Sequence, residues 1–221
     1  MKKQILLLAL VVVSTFSFAQ MTPSFGVRAG VSSAGMRGQA VDNLKSLLNF
    51  TNGAVTTSDR TGFFAGWFVN LPLDNMISIE PGLYYSQKGY NINGSMSVKG
   101  ASFLSANASA KLQSNYLDIP VLLKANLNGF QVFAGPQFSY LMNADLKTSA
   151  GVLGFNVLNN TMDATAQFNR WDMGVTGGIG YKFTNGMNIS AAYDYGLQKV
   201  DANKNISSYN HAIKIGLGIN F

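Results

Sequence analysis

The sequence predicts an all-β chain, an eight-stranded antiparallel up-and-down transmembrane β-barrel, on three observations. First, the final residues alternate strictly: Ile213, Ile215, Leu217, Ile219 and Phe221 are apolar, whereas Ala212, Lys214, Gly216, Gly218 and Asn220 are small or polar. A strand with one oily and one wet face meets two solvents, as a barrel wall does between lipid and a crowded lumen. Second, the chain is 47% hydrophobic and only 12% charged, oily for a soluble domain. Yet after residue 19 it has no apolar run of the ~20 residues a membrane helix needs. Third, the connections between alternating segments are short and long in turn, the pattern of barrels with short turns at one end and long loops at the other.

The N-terminus fits export. Lys2 and Lys3 precede an uninterrupted apolar stretch from Ile5 to Val13, and Ser17-Phe18-Ala19 places small residues where a signal peptidase reads. The stretch is too short to span a bilayer, so residues 1–19 are expected to be a removed secretory signal and residues 20–221 the barrel domain, located in the cell outer membrane. No cysteine follows the cut, which excludes disulfides and a lipid-anchored cysteine.

Eight segments alternate. The first, Ser24 to Gly35, sets Phe25, Val27, Ala29 and Val31 against Gly26, Arg28, Gly30 and Ser32. The second, Thr61 to Leu71, is apolar on both faces, and Gly66 and Asn70 mark its inner row. In the third, Met76 to Tyr90, Ile77, Ile79, Pro81, Leu83 and Tyr85 lie opposite Ser78, Glu80, Gly82, Tyr84, Ser86 and Lys88. The fourth, Gln113 to Leu127, turns Leu117, Ile119, Val121 and Leu123 outward and Tyr116, Asp118, Leu122 and Lys124 inward. The fifth runs from Phe130 to Met142, the sixth from Arg170 to Phe183 with Asp172 inward, and the seventh from Met187 to Val200 with Asp194 inward. The eighth ends at Phe221. Proline removes a ladder donor, so Pro81, Pro120 and Pro136 are expected to mark bulges.

Short turns are expected at Pro72 to Asn75, Asn128-Gly129 and Thr184 to Gly186, Asn-Gly being a strong hairpin signal. Long polar loops are expected at Met36 to Arg60, Asn91 to Leu112 and Asn143 to Asn169, with a shorter one near Asp201 to Ser208. Val41, Leu44, Leu47 and Leu48 have helical spacing, and Val152 to Leu158 reads as a hairpin extension above the membrane.

The inner row collects Arg28, Lys88, Lys124 and Lys214 with Glu80, Asp118, Asp172 and Asp194. Unpaired buried charge is costly, so a plug of paired charges is the favoured reading over an ion path. An eight-strand barrel leaves space only for its own side chains, which disfavours a diffusion pore. The single histidine, His211, has outward parity near a loop and reads as interfacial rather than catalytic. With one His and no Cys a metal cluster lacks ligands, and no cofactor is expected. Gly174-Val-Thr-Gly-Gly-Ile-Gly180 leads to no helix, so its glycines ease strand curvature and lumen crowding. Outward Tyr85, Tyr140, Tyr181, Phe183, Tyr193, Tyr195, Phe221 and Trp67 suit membrane-interface belts. Removing residues 1–19 leaves 14 basic against 10 acidic residues, scattered along the chain, and excludes a nucleic-acid face.

Four segments carry a family resemblance: Pro81-Gly-Leu-Tyr-Tyr-Ser-Gln-Lys-Gly89, Tyr116-Leu-Asp-Ile-Pro-Val-Leu-Leu-Lys124, Ala134-Gly-Pro-Gln-Phe-Ser-Tyr140 and Ala192-Tyr-Asp-Tyr-Gly-Leu197. Over essentially the whole mature chain they resemble the PorT-like outer-membrane β-barrel family of Gram-negative bacteria. The resemblance implies an integral outer-membrane barrel, usually without an assigned activity, whose namesake serves a protein-secretion system; it supplies no catalytic residue. The expected partners are outer-membrane lipid, the insertion machinery during assembly, and an extracellular or secretion-system protein met through the loops, with the barrel itself monomeric. The end of the last strand, Phe221 with Ile219 and Leu217, is similar to the signal which that machinery reads. The alternatives are a porin-like transporter or a secretion accessory protein.

Overall fold

Hydrogen bonding decides this architecture, because a strand in hydrocarbon must find a partner on both edges. A computed structural model describes residues 22–39, 46, 55–98, 101–152, 155–202 and 207–221. Among the described residues nine strands follow one another: β1 Ser24–Arg37, β2 Val55–Pro72, β3 Ile77–Val98, β4 Ala101–Leu127, β5 Phe130–Val152, β6 Phe155–Asp163, β7 Trp171–Lys182, β8 Met187–Gly196 and β9 Tyr209–Asn220. Neighbouring strands pair antiparallel, and the order β4-β3-β2-β1-β9-β8-β7-β5 is closed by β4 against β5. Eight strands therefore form a ring, while β6 pairs with the outer end of β5 beyond the ring. The seam between first and last strands runs from Gly26 opposite Asn220 to Arg37 opposite Tyr209, and Phe221 and Phe25 then exchange backbone bonds of 2.8 and 3.2 Å.

The period-2 pattern gives the wall two chemically different faces. Trp67 is 66% exposed while its neighbour Phe68 is 2% exposed, and Ile215 is 53% exposed beside Lys214 at 9%. Outward rings form two belts. Phe25, Phe130, Tyr181, Phe183 and Phe221 lie at the short-turn end, and Phe63, Tyr85, Tyr140, Trp171, Tyr193 and Tyr195 near the other. Tyr140 packs edge-on to Trp171 at 5.0 Å, as Tyr181 does to Phe183. From Phe130 to Tyr140 the strand climbs about 25 Å at the ~40° tilt of such barrels, the height of their apolar band.

The short turns have local causes. Asn128 and Gly129 both adopt positive φ, 52° and 92°, the conformation a two-residue hairpin demands. Asp74 Oδ1 accepts the N–H groups of Met76 and Ile77, each at 2.6 Å, and pins the β2–β3 turn.

The long polar loops need correction. Residues 55–60, 91–98, 101–112 and 143–152 are strand: β4 has 27 residues and β5 has 23, whereas a membrane crossing takes ~9–11. Above the belts the outward face is no longer held to lipid, so the strict apolar alternation lapses although the hydrogen bonding continues. The expected hairpin extension at Val152 to Leu158 is present as the β5–β6 pair. The seventh segment stops at Gly196 rather than Val200. Val41, Leu44, Leu47 and Leu48 lie outside the described residues, as do residues 1–21.

The prolines do not make bulges. At Pro81 the β2–β3 ladder stops after Phe68 opposite Gly82 and resumes at Leu71 opposite Ile79 in the same register. Pro120 interrupts the β3–β4 ladder, and Pro136 the β4–β5 ladder, equally without a shift. A missing N–H opens a gap on one side of the strand, and pairing beyond the gap holds the count. The true shifts lie higher, among them those between Asp59 and Phe64 on β2 and between Asn115 and Tyr116 on β4. The second makes Met142 the extra residue on β5, 49% exposed, so that Leu141 and Ala144 are both buried.

Arginine at Ile215 must cross or deform hydrocarbon and is expected to cost ~2–4 kcal/mol. Refolding titrations in lipid check this, with Lys214→Gln as the milder comparison; the opposite ranking would turn the wall inside out.

Candidate functional site

The lumen is filled in layers by the inward rows. Nearest the short-turn end, Glu80 sits between two cations. Arg28 Nη1 donates to its Oε1 at 2.8 Å and Lys124 Nζ to its Oε2 at 2.6 Å. Arg28 also donates to Tyr84 Oη at 3.1 Å and to Asn188 Oδ1 at 3.3 Å, and its guanidinium lies 4.4 Å from the Phe68 ring centre.

Packed beside and above it are the side chains of Phe64, Phe68, Tyr84, Leu122 and Phe133, all buried, with Phe133 opposite Lys124 and Phe68 opposite Gly26. Glycines make room for these rings: a Cβ on Gly216 would lie 2.8 Å from Phe64 Cζ, and one on Gly178 would lie 2.7 Å from Phe133. A cavity of about 40 Å³ remains beside Phe64, Tyr84, Leu122 and Phe133.

The next layer is a second charge network. Asp118 Oδ1 accepts from Lys88 Nζ at 2.9 Å and from Ser139 Oγ at 2.6 Å, and its Oδ2 from Lys214 Nζ at 3.0 Å. Lys214 Nζ also lies 2.6 Å from Asp194 Oδ2, while Thr176 Oγ1 donates to Asp194 Oδ1 at 2.8 Å. Higher still, Asn210 Nδ2 donates to Asp172 Oδ2 at 2.7 Å and to Tyr116 Oη at 3.3 Å. Asp172 Oδ1 is buried without a partner among the described residues. Leu112, Tyr116, Leu141 and Ala144 form an apolar cluster at the far end, with Met36, Tyr90 and Phe168 packed against it.

All eight inner-row charges, Arg28, Glu80, Lys88, Asp118, Lys124, Asp172, Asp194 and Lys214, are buried, four of each sign. The structure brings seven of them into two ion-pair groups and leaves Asp172 to an amide. The balance is not uniform: the lower group has two cations on one carboxylate, the upper is even, and the remaining acid is Asp172. Parity could not choose these partners, because pairing depends on the stagger between strands. The same limit hid Asn188, Asn210, Ser139 and Thr176, whose inward parity was their only signal. Phe221, Ile219 and Leu217 stand on the outer face, 74%, 44% and 60% exposed.

His211 is on the other side of the wall from the carboxylates of Asp172 and Asp194. Its Nε2 lies 3.4 Å from Asp59 Oδ2. The rim nearby is braced by Arg37, stacked 3.6 Å over Tyr195 and donating to the Gly196 carbonyl. On the outer hairpin, the hydroxyl and N–H of Thr165 hold the exposed Asp163 carboxyl below its usual range.

A closed antiparallel ring with an apolar belt outside and paired charges within defines an integral membrane barrel. The chain matches the outer membrane protein beta-barrel domain over residues 18–202 and belongs to that family, which places it in the outer membrane. The match includes all but the last strand of the ring. Among solved structures the chain is similar to Ail, the attachment invasion locus protein of Yersinia pestis, at 12% identity and a TM-score of 0.46, covering 91% of this chain and 100% of that one. It is also similar to Neisserial surface protein A, at 15% identity and a TM-score of 0.45 with the same coverages. No curated protein matches it.

Glu80→Gln would strand Arg28 and Lys124 without a counter-charge, and is expected to destabilise the barrel by ~3–5 kcal/mol. Lys124→Met keeps the Arg28–Glu80 pair and should cost less. Urea unfolding of both variants in the same lipid tests the order.

Proposed function

We propose that the barrel is a closed membrane platform without catalytic activity, and that its work is done by the strands and loops standing outside the outer leaflet. The observation that supports this most is the filled lumen, in which two ion-pair groups and the buried rings of Phe64, Phe68 and Tyr84 lie beneath an apolar cap. Desolvated charges that satisfy one another offer a hydrated ion no path through the lumen. A catalytic reading would need a base near a nucleophile, whereas the lone histidine reaches Asp59 on the outer face.

The extracellular side is where length is invested. β4 and β5 continue more than ten residues past Leu117 and Tyr140 at the upper belt, on the order of 30 Å of rigid sheet. Segments of this kind, carried by a rigid scaffold, are where recognition surfaces reside. The four motif segments extend the proposal to a PorT-like role, with the extension meeting a secretion-system or other extracellular protein as a monomer.

The last strand has a second role, in assembly. Phe221 closes the seam through two backbone bonds with Phe25 and presents an exposed aromatic ring beside Ile219 and Leu217, a form suited to the insertion machinery. Deleting Phe221 is expected to lower the yield of heat-modifiable protein in the outer membrane and to leave periplasmic aggregate; normal yield would refute the assembly role. For the closed platform, planar-bilayer recordings of the purified protein are expected to be silent. Steady, large, weakly selective channels would overturn it.

A further inference from the structure

The short-turn end of the lumen is open where the far end is capped. Inward residues of six strands line a polar cup of about 250 Å³ at this periplasmic mouth. Its cations are Lys124, which reaches up to Glu80, and Lys182, which makes no ion pair among the described residues. Glu80 is shared with Arg28, so the floor of the cup carries one positive charge more than its carboxylate offsets. Lys182 adds a second, set against one acid of the lining, Asp74 at the turn.

The uncharged lining has the same character. Gln131 is largely buried, 7% exposed, and also lines the cup. An amide that no group among the described residues engages, lining the same cup as two lysines, has its N–H donors available to an acceptor entering from the mouth. Asn126 uses its Oδ1 to accept the Gly129 N–H at 3.0 Å, which leaves its Nδ2 as a donor. Lys124 spends one contact on Glu80 and is a three-donor group. The one acid in the lining, Asp74, has Oδ1 committed to the turn N–H groups of Met76 and Ile77.

We infer that the periplasmic mouth is an oxoanion-binding cup, in which Lys182, Lys124 and the amide of Gln131 hold a phosphate or carboxylate group presented from the periplasm. Charge-assisted hydrogen bonds from ammonium and amide donors are the interactions such a group forms best, and the blind floor prevents it from going further. The cup faces away from the extracellular extension, so it stands or falls independently of what that extension binds.

The test is calorimetric titration of inorganic phosphate, and separately of acetate, into the full mature barrel in lipid nanodiscs at 0.15 M salt. One saturable site is expected. Lys182→Gln and Gln131→Leu should each weaken binding tenfold or more, while Lys147→Gln, on the exposed outer strand β5, leaves it unchanged. Heat-modifiable migration establishes that each variant is folded. Tighter phosphate than acetate assigns the cup to phosphoryl groups, and the reverse to carboxylates. Equal affinity in wild type and both cup variants, or an equal loss in Lys147→Gln, would overturn the site.

Discussion

Everything in this protein follows from the need to leave no strand edge open in hydrocarbon. A flat sheet of these strands would present two rows of unpaired N–H and C=O groups to lipid, each costing several kcal/mol. Joining β9 to β1 removes both rows at once. Closure at eight strands then fixes how much interior there is, and the interior dictates residue sizes: rings from Phe64 and Phe133 are admitted only where Gly216 and Gly178 yield. The polar rows are a further consequence, since side chains that alternate with lipid-facing ones have nowhere else to point.

The lumen charges show what such confinement demands. Water would ordinarily solvate a lysine; here Asp118 takes the place of water for Lys88 and Lys214 together, helped by Ser139. An exchange of this kind adds little net stability compared with apolar packing, yet removing one member is expensive. It therefore fixes which side chains occupy which layer more than it strengthens the barrel. The departure from uniform balance, a surplus cation below and Asp172 above, gives the interior a polarity along its axis.

The membrane-spanning part was legible because lipid enforces apolar residues at every second position: Ile213 to Phe221 could be assigned inside and outside from letters alone. The second strand was harder, with Phe64 and Phe68 in the lumen, and small neighbours such as Gly66 supplied the sidedness. Legibility ended where lipid ends. Residues such as Ser109 and Asn93 are paired as tightly as any below, but with the outward face no longer held to lipid nothing enforces the alternation. Nor could ion pairs be read, since Lys214 meets Asp118 across 96 residues of sequence through a stagger that no local pattern encodes. Prolines misled for a related reason, because a lost donor is a fault in one ladder and says nothing about the count of residues on either side.

The shift at Met142 has a consequence for how the two halves of the molecule can change. Below it, the pairing of β4 and β5 is locked to the lumen, where one inserted residue would exchange the lipid and interior rows of a whole strand. The extra residue shows that the sheet above tolerates a different count from the sheet below without disturbing Asp118 or Ser139. It is a break in register: the residue count of the ladder above it is not tied to the count below. The register of the outer sheet is thereby set separately from that of the wall, whose Asp118–Ser139 contact lies below the break.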